Sequence, residues 1–320
     1  MKTSRYNSSH GGTQPIRVLQ HNVVSGFENA NPGFLAQLKR LIADKGLQPG
    51  ISYLVQDSAI CGSGGVGSPA VCSRSRKIQI SETFLSYIWG ITYALVVIFN
   101  ELIRKPALAT HGQQEERYPE LLRGADQLLS YATSLIWRYS TWDKDSLPNP
   151  EFYDAEADPY IEQANGGFVP AVVFVLCHEV AHVSLGHCDL DNLGVYVSSM
   201  DSKLDETAAD DYAIDTMRKN PANGRFQQPE AVGIIAGLAS LLMLSKEVRE
   251  ERHPDTDERL IAGVQHLRLP EESPLWGLGL AAIKLWDTHY DRGLTWPGAS
   301  DTCKAAFDEM AGKMTQRPSR

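Results

Sequence analysis

Two histidines four residues apart, with a glutamate directly after the first, stand at His178-Glu179-Val180-Ala181-His182. On a helix, residues at i and i+4 share a face one turn apart, so the two imidazoles can converge on a single ion. Glu179 is offset from His178 by about 100°. It therefore stands beside such an ion, where it can take a proton from water. Val172, Val173, Phe174, Val175, Leu176, Val180, Ala181, Val183 and Leu185 surround the motif and predict a buried helix. Two imidazoles and a carboxylate in such a helix are costly without partners, and a metal ion is a partner. The chemistry expected of this spacing is metal-assisted hydrolysis.

A catalytic zinc takes three protein ligands and keeps one position open. A histidine six residues beyond His182, with a glycine three beyond it, would be one solution, but those places hold Cys188 and Leu185. His187 would stand about 140° round a continuing helix from His182. The run Asp205-Glu206-Thr207-Ala208-Ala209-Asp210 offers a better one. On helical spacing Glu206, Ala209, Asp210, Ala213 and Met217 share a face that is otherwise small or apolar. Glu206 is expected to reach the metal. Asp210, one turn on, is expected to accept an N–H from a ligating imidazole. Asp205, Asp211 and Asp215 are expected in solvent, and Cys177 and Cys188 as buried thiols. Tyr212, and His289 with Tyr290, are candidate oxyanion donors for which a structural role is the simpler expectation.

HExxH followed by ExxxD is the gluzincin pattern. Its fuller form here is HEVAHVSLGH, then ETAADDYA, then His253-Pro254-Asp255-Thr256-Asp257-Glu258-Arg259-Leu260. This resembles the CAAX-prenyl-protease and HtpX-like group, and the soluble Lit-type phage-exclusion peptidases share much of it. The likeness spans about residues 169–267. It implies His178, His182 and Glu206 as ligands of one zinc per chain, Glu179 as general base and Asp210 behind an imidazole. It also implies His253 and Arg259 near the cleft, and zinc-dependent endopeptidase activity on a protein or peptide substrate. The membrane-bound group differs from this chain in the short spacing between His182 and Glu206, so the soluble relatives are the nearer analogy. Rival readings are a non-catalytic zinc-stabilised interaction module, a membrane-associated HtpX-like protease anchored through residues 84–99, and a protease with one target in a defence or regulatory circuit.

The elements that must position these residues can be read from periodicity. Strands are expected at 16–24, 51–55 and 77–80, and a helix at 31–44. A Gly/Ser loop at 61–69 contains a GxGxxG match with no helix after it, which argues against dinucleotide binding. Helices follow at 81–104, capped by Ser81, and at 119–139, with an acidic irregular stretch at 148–165. Further helices are expected at 169–186, at 202–219 capped by Ser202, and at 228–250, 255–267, 275–287 and 301–313. The whole reads as α+β: a small N-terminal mixed sheet on a predominantly helical, zincin-like body carrying the HExxH and ExxxD helices. Tails are expected at 1–15 and 314–320, around a single domain at 16–313 made of a 16–165 part and a metal-binding 166–313 part. An extended substrate is expected to pair with an exposed edge at 77–80.

The chain has 320 residues, 42% hydrophobic, enough for a large core. A net charge of −9 disfavours nucleic-acid partners and anionic membranes. The N-terminus lacks a signal-peptide core, and the five cysteines show no paired spacing, so a cytoplasmic location with free thiols is expected. The apolar runs 84–99 and 231–244 fall short of the ~20 residues that span a bilayer, and membrane association is not expected. Oligomeric state is not legible.

Overall fold

A computed structural model describes residues 14–55, 58–60, 70–71, 76–105, 118–188, 199–218, 228–244, 246, 255–297 and 300–315. The chain is mostly helical with a small sheet, an α+β arrangement. A 3-10 turn at Pro15–Leu19 leads into α1 (Gln20–Glu28), and α2 (Phe34–Ala43) follows. The strand expected at 16–24 is therefore helical. Its β-branched residues suggested extension, but Ile16, Val23 and Phe27 are the buried ones, at helical spacing, while Val18 is exposed.

Three short strands form a mixed sheet in the order β1-β3-β2. β1 (Ile51–Leu54) runs parallel to β3 (Ile78–Ser81), and β2 (Ala70–Val71) runs antiparallel to it. β3 is thus central, with a neighbour on each side. Among the described residues β2 covers Ile78 and Gln79 of the edge expected to be free at 77–80, and the outer strands are β1 and β2. Most of the Gly/Ser loop, with its GxGxxG match, lies outside the described residues.

Ser81 caps α3 (Glu82–Ile98), its hydroxyl accepting from the Phe84 N–H at 3.1 Å. α3 is buried from Glu82 to Val97 and ends in a π turn, Phe99–Arg104. There the fully buried Glu101 accepts from Lys105 at 2.7 Å and from the Tyr160 hydroxyl, tying this end of α3 to the start of α5. α4 (Pro119–Ser134) packs on α3. α5 (Tyr160–Ser184) begins nine residues before the expected 169, because the helix passes straight through Pro170. Pro170 has no N–H for the Gly166 carbonyl four residues back, and Gly166 is exposed, so water can satisfy that oxygen.

α6 (Ser199–Thr216), α7 (Gln228–Leu242), α8 (Thr256–His266), α9 (Leu275–His289) and α10 (Cys303–Thr315) complete the body. Ser202 lies inside α6 and is not its cap. α5 is the hub, packed against α1, α3, α6 and α7. Phe168, Val172, Phe174, Leu176 and Val180 are all buried on it, each worth about 1.5–3 kcal/mol of transfer free energy for the large side chains. Gly233 and Gly237 bring α7 close: a Cβ at 233 would lie 2.5 Å from Pro170, and one at 237 would lie 2.8 Å from Phe174. Cys177, Cys188 and Cys303 form no disulfide.

The 23 residues of Glu82–Arg104 and the 25 of Tyr160–Ser184 are long and apolar enough to cross a membrane. Length therefore does not exclude a span, contrary to the argument from residues 84–99. Burial is the better criterion: 89% and 78% of their apolar windows are covered by the rest of the protein.

Candidate metal centre

His178 and His182 occupy the C-terminal third of α5, one turn apart. Their Nε2 atoms face each other at 3.0 Å. Glu206, on α6, completes a triangle of residues, with one oxygen toward each imidazole: its Oε2 lies 3.3 Å from His178 Nε2 and its Oε1 lies 3.5 Å from His182 Nε2. Donors at about 2.0–2.1 Å from a tetrahedral zinc stand about 3.3 Å apart. The 3.0 Å between the two imidazole nitrogens and the 3.3 Å from His178 to Oε2 are close to that spacing, and one donor atom from each of the three residues lies within 4.8 Å of the others. Two neutral imidazoles and a carboxylate are also a donor set that suits zinc. Among the described residues, these three are the group able to hold a metal ion. α6 can lie this close to α5 because Ala209 and Ala213 face inward with no exposed surface.

Behind the triangle stands a second layer. Asp210 Oδ1 lies 2.9 Å from Nδ1 of His178. Arg259, on α8, grips the same carboxylate with both arms of its fork, Nε to Oδ2 at 2.7 Å and a terminal nitrogen to Oδ1 at 2.8 Å. Another terminal nitrogen of Arg259 is 3.7 Å from Glu206. Arg259, expected only near the cleft, thus sits against the carboxylates of the centre. His253 lies outside the described residues.

The charges follow from this packing. Burial opposes protonation of His178, but the Asp210 and Glu206 carboxylates outweigh it and lift its pKa to about 9. Burial and the charge on His178 push His182 down to about 4. Burial would raise Asp210, yet Arg259 and His178 hold it at about 2. The imidazole pair therefore shares a single proton across neutral pH. Glu179 is buried next to His178, offset from the Nε2 face by one residue of helix.

His187 is the residue that sequence reasoning misplaced. α5 ends at Ser184, and Gly186 takes a left-handed φ of +81°. The chain turns back instead of continuing round the helix. Nδ1 of His187 comes within 3.0 Å of Nδ1 of His182, and its Nε2 within 3.3 Å of Asp205. Asp205, expected in solvent, is thereby engaged. The signal was present in Gly186, since a glycine after an apolar helix marks such an ending.

The other candidates lie elsewhere. The Tyr212 hydroxyl bonds Gln37 and Ser184 Oγ (3.3 Å), linking α2, α5 and α6. Tyr290 donates to the Met243 carbonyl at 2.8 Å, and burial lowers the pKa of its neighbour His289. Asp211 and Asp215 are exposed as expected and clasp His266 at 2.8 and 3.1 Å. Cys177 is wholly buried, and burial pushes its thiol pKa far up.

A family model described as Peptidase U49 matches residues 78–279, a span that holds every residue of the centre from α5 to α8. No curated protein and no solved structure matches the chain significantly.

Proposed function

Because the chain belongs to the peptidase U49 family, we propose that His178, His182 and Glu206 hold one zinc ion and serve hydrolysis of a peptide bond within a protein or peptide substrate. The observation that carries this reading is the convergence of the two Nε2 atoms, 3.0 Å apart, on the Glu206 carboxylate, whose two oxygens lie 3.3 and 3.5 Å from them. Zinc, when bound, supplies a water acidified toward ~7 and a Lewis acid for the scissile carbonyl.

The protein's own groups do the rest. Asp210 accepts the Nδ1–H of His178, which leaves Nε2 as the donor atom facing Glu206 and His182. Glu179 is the general base: it takes the proton of the attacking water and hands it to the leaving amine nitrogen. It is not a ligand in this assignment. The order HExxH, then ExxxD, with Arg259 behind Asp210, makes the centre gluzincin-like. A cytoplasmic location, no nucleic-acid partner and no membrane association complete the proposal, in line with the net charge of −9 and the covered apolar helices.

Glu179→Gln tests the assignment. Glutamine keeps shape and hydrogen bonding but cannot accept the water proton. Zinc content should equal that of the wild type, while cleavage of a protein substrate falls by about 100–10,000-fold. Loss of zinc together with activity would make Glu179 a ligand; full activity would place the chemistry elsewhere.

A further inference from the structure

We infer that His187 is a positioning residue of the metal centre, acting through His182 and anchored by Asp205. The inference rests on the zinc reading above and concerns what fixes the second imidazole.

His182 turns Nε2 toward His178 and Glu206. With that nitrogen serving as a metal donor, its proton sits on Nδ1. The Nδ1–H meets Nδ1 of His187 at 3.0 Å. His187 then accepts there and carries its own proton on Nε2. That N–H faces Oδ1 of Asp205 at 3.3 Å, and a carboxylate only accepts. Every atom in the chain from the metal face to Asp205 has one role, and none must donate and accept at once.

His187 is not a competing ligand. It lies on the Nδ1 edge of His182, opposite the donor edge, and is not one of the three residues whose donor atoms cluster. The two rings meet edge to face, at 68° with centroids 5.1 Å apart, which also fixes the plane of His182. His178 receives the same service from Asp210. The two ligand imidazoles are thus held by different means, one by an acid on α6 and one by a histidine brought back through the Gly186 turn. Asp205 directly precedes the ligand Glu206, so the anchor and the third donor move together on α6.

Cobalt titration of the metal-free full-length protein tests this, because Co2+ takes the same donors and its visible bands report their orientation. His187→Phe should weaken Co2+ binding by about 10–100-fold and alter the band shape. His187→Asn should restore affinity to within about threefold, since the amide oxygen can accept where Nδ1 did. Asp205→Ala removes the anchor of His187 and should cost about 10-fold. Melting of the metal-free variants reports whether each folds. Should His187→Phe fail to fold, Asp205→Ala and His187→Asn carry the decision: a loss in the first with near-wild-type binding in the second supports the assignment. Wild-type affinity and spectrum in His187→Phe, or in Asp205→Ala when His187→Phe does not fold, would overturn it. So would an Asn variant no better than a folded Phe variant. A wild type that binds no Co2+ would overturn the zinc reading itself, a result distinct from a wild type that binds while His187→Phe binds equally.

Discussion

Asp210 serves two partners at once, accepting from His178 on one oxygen and pairing with Arg259 through both. Asp210→Asn keeps the volume and removes the charge, and zinc affinity should fall by about 10–100-fold, read by competition with a chromogenic chelator. Arg259→Leu leaves that buried acid without its strongest cation and should lower stability by about 3 kcal/mol in denaturant unfolding of the metal-free protein. The shared proton sets a pH dependence. His178, raised from 6.5 to about 9, contributes stability that is full below 6.5 and lost as pH rises through 9. His182, lowered to about 4, has the opposite sign: stability is lost as pH falls from 6.5 toward 4. The lowered acid Asp210 contributes above 3.8 and fails only as pH nears 2. Melting of the metal-free protein should therefore peak near pH 6.5 and decline on both sides, and a flat profile from 5 to 9 would contradict the charge assignment. The grouping of His178, His182, Glu206 and Asp210 was legible in sequence because helix periodicity is local. Arg259 was visible only through the resemblance, since its grip on Asp210 joins helices 49 residues apart.

At the scale of elements, the ending of α5 and its seat against α7 matter most. Gly186→Ala puts a Cβ into a left-handed backbone and should cost about 1–2 kcal/mol. Because the same turn returns His187 to His182, metal affinity should fall with it. An alanine variant with unchanged melting and unchanged affinity would remove the turn from the argument. Gly233→Ala presses a methyl onto Pro170 and should cost about 1–3 kcal/mol without touching the centre directly. Of the helices with a long apolar pattern, α3 with its π turn was readable to within a residue, whereas α5 begins nine residues early and α7 ends eight residues before the expected 250. The failures have identifiable causes. Ile16, Val18, Val23 and Val24 have strand propensity, but tertiary burial of Ile16, Val23 and Phe27 selected a helix. The apolar run placed the start of α5 at 169, and exposed Gly166 let the helix run through Pro170 from Tyr160. β3 looked like an edge strand because only tertiary structure shows that β2 pairs on its other side.

At the scale of the whole molecule, one continuous cluster of apolar side chains extends from Ile16 to Met314, with α5 running through it. The covered faces of α3 and α5 lead us to expect the protein in the supernatant of a detergent-free lysate; recovery only with detergent would favour a membrane-anchored protease. The same burial has a consequence for biosynthesis. α5 leaves the ribosome well before α7, the helix that covers it at Pro170 and Phe174, and Leu242 follows Ser184 by 58 residues. At roughly 5–20 residues per second, a segment greasy enough for a bilayer waits about 3–12 s for its lid. In that interval it is a client for holdase chaperones, and a polypeptide diluted from denaturant, with no such escort, should precipitate more readily than its folded solubility would suggest.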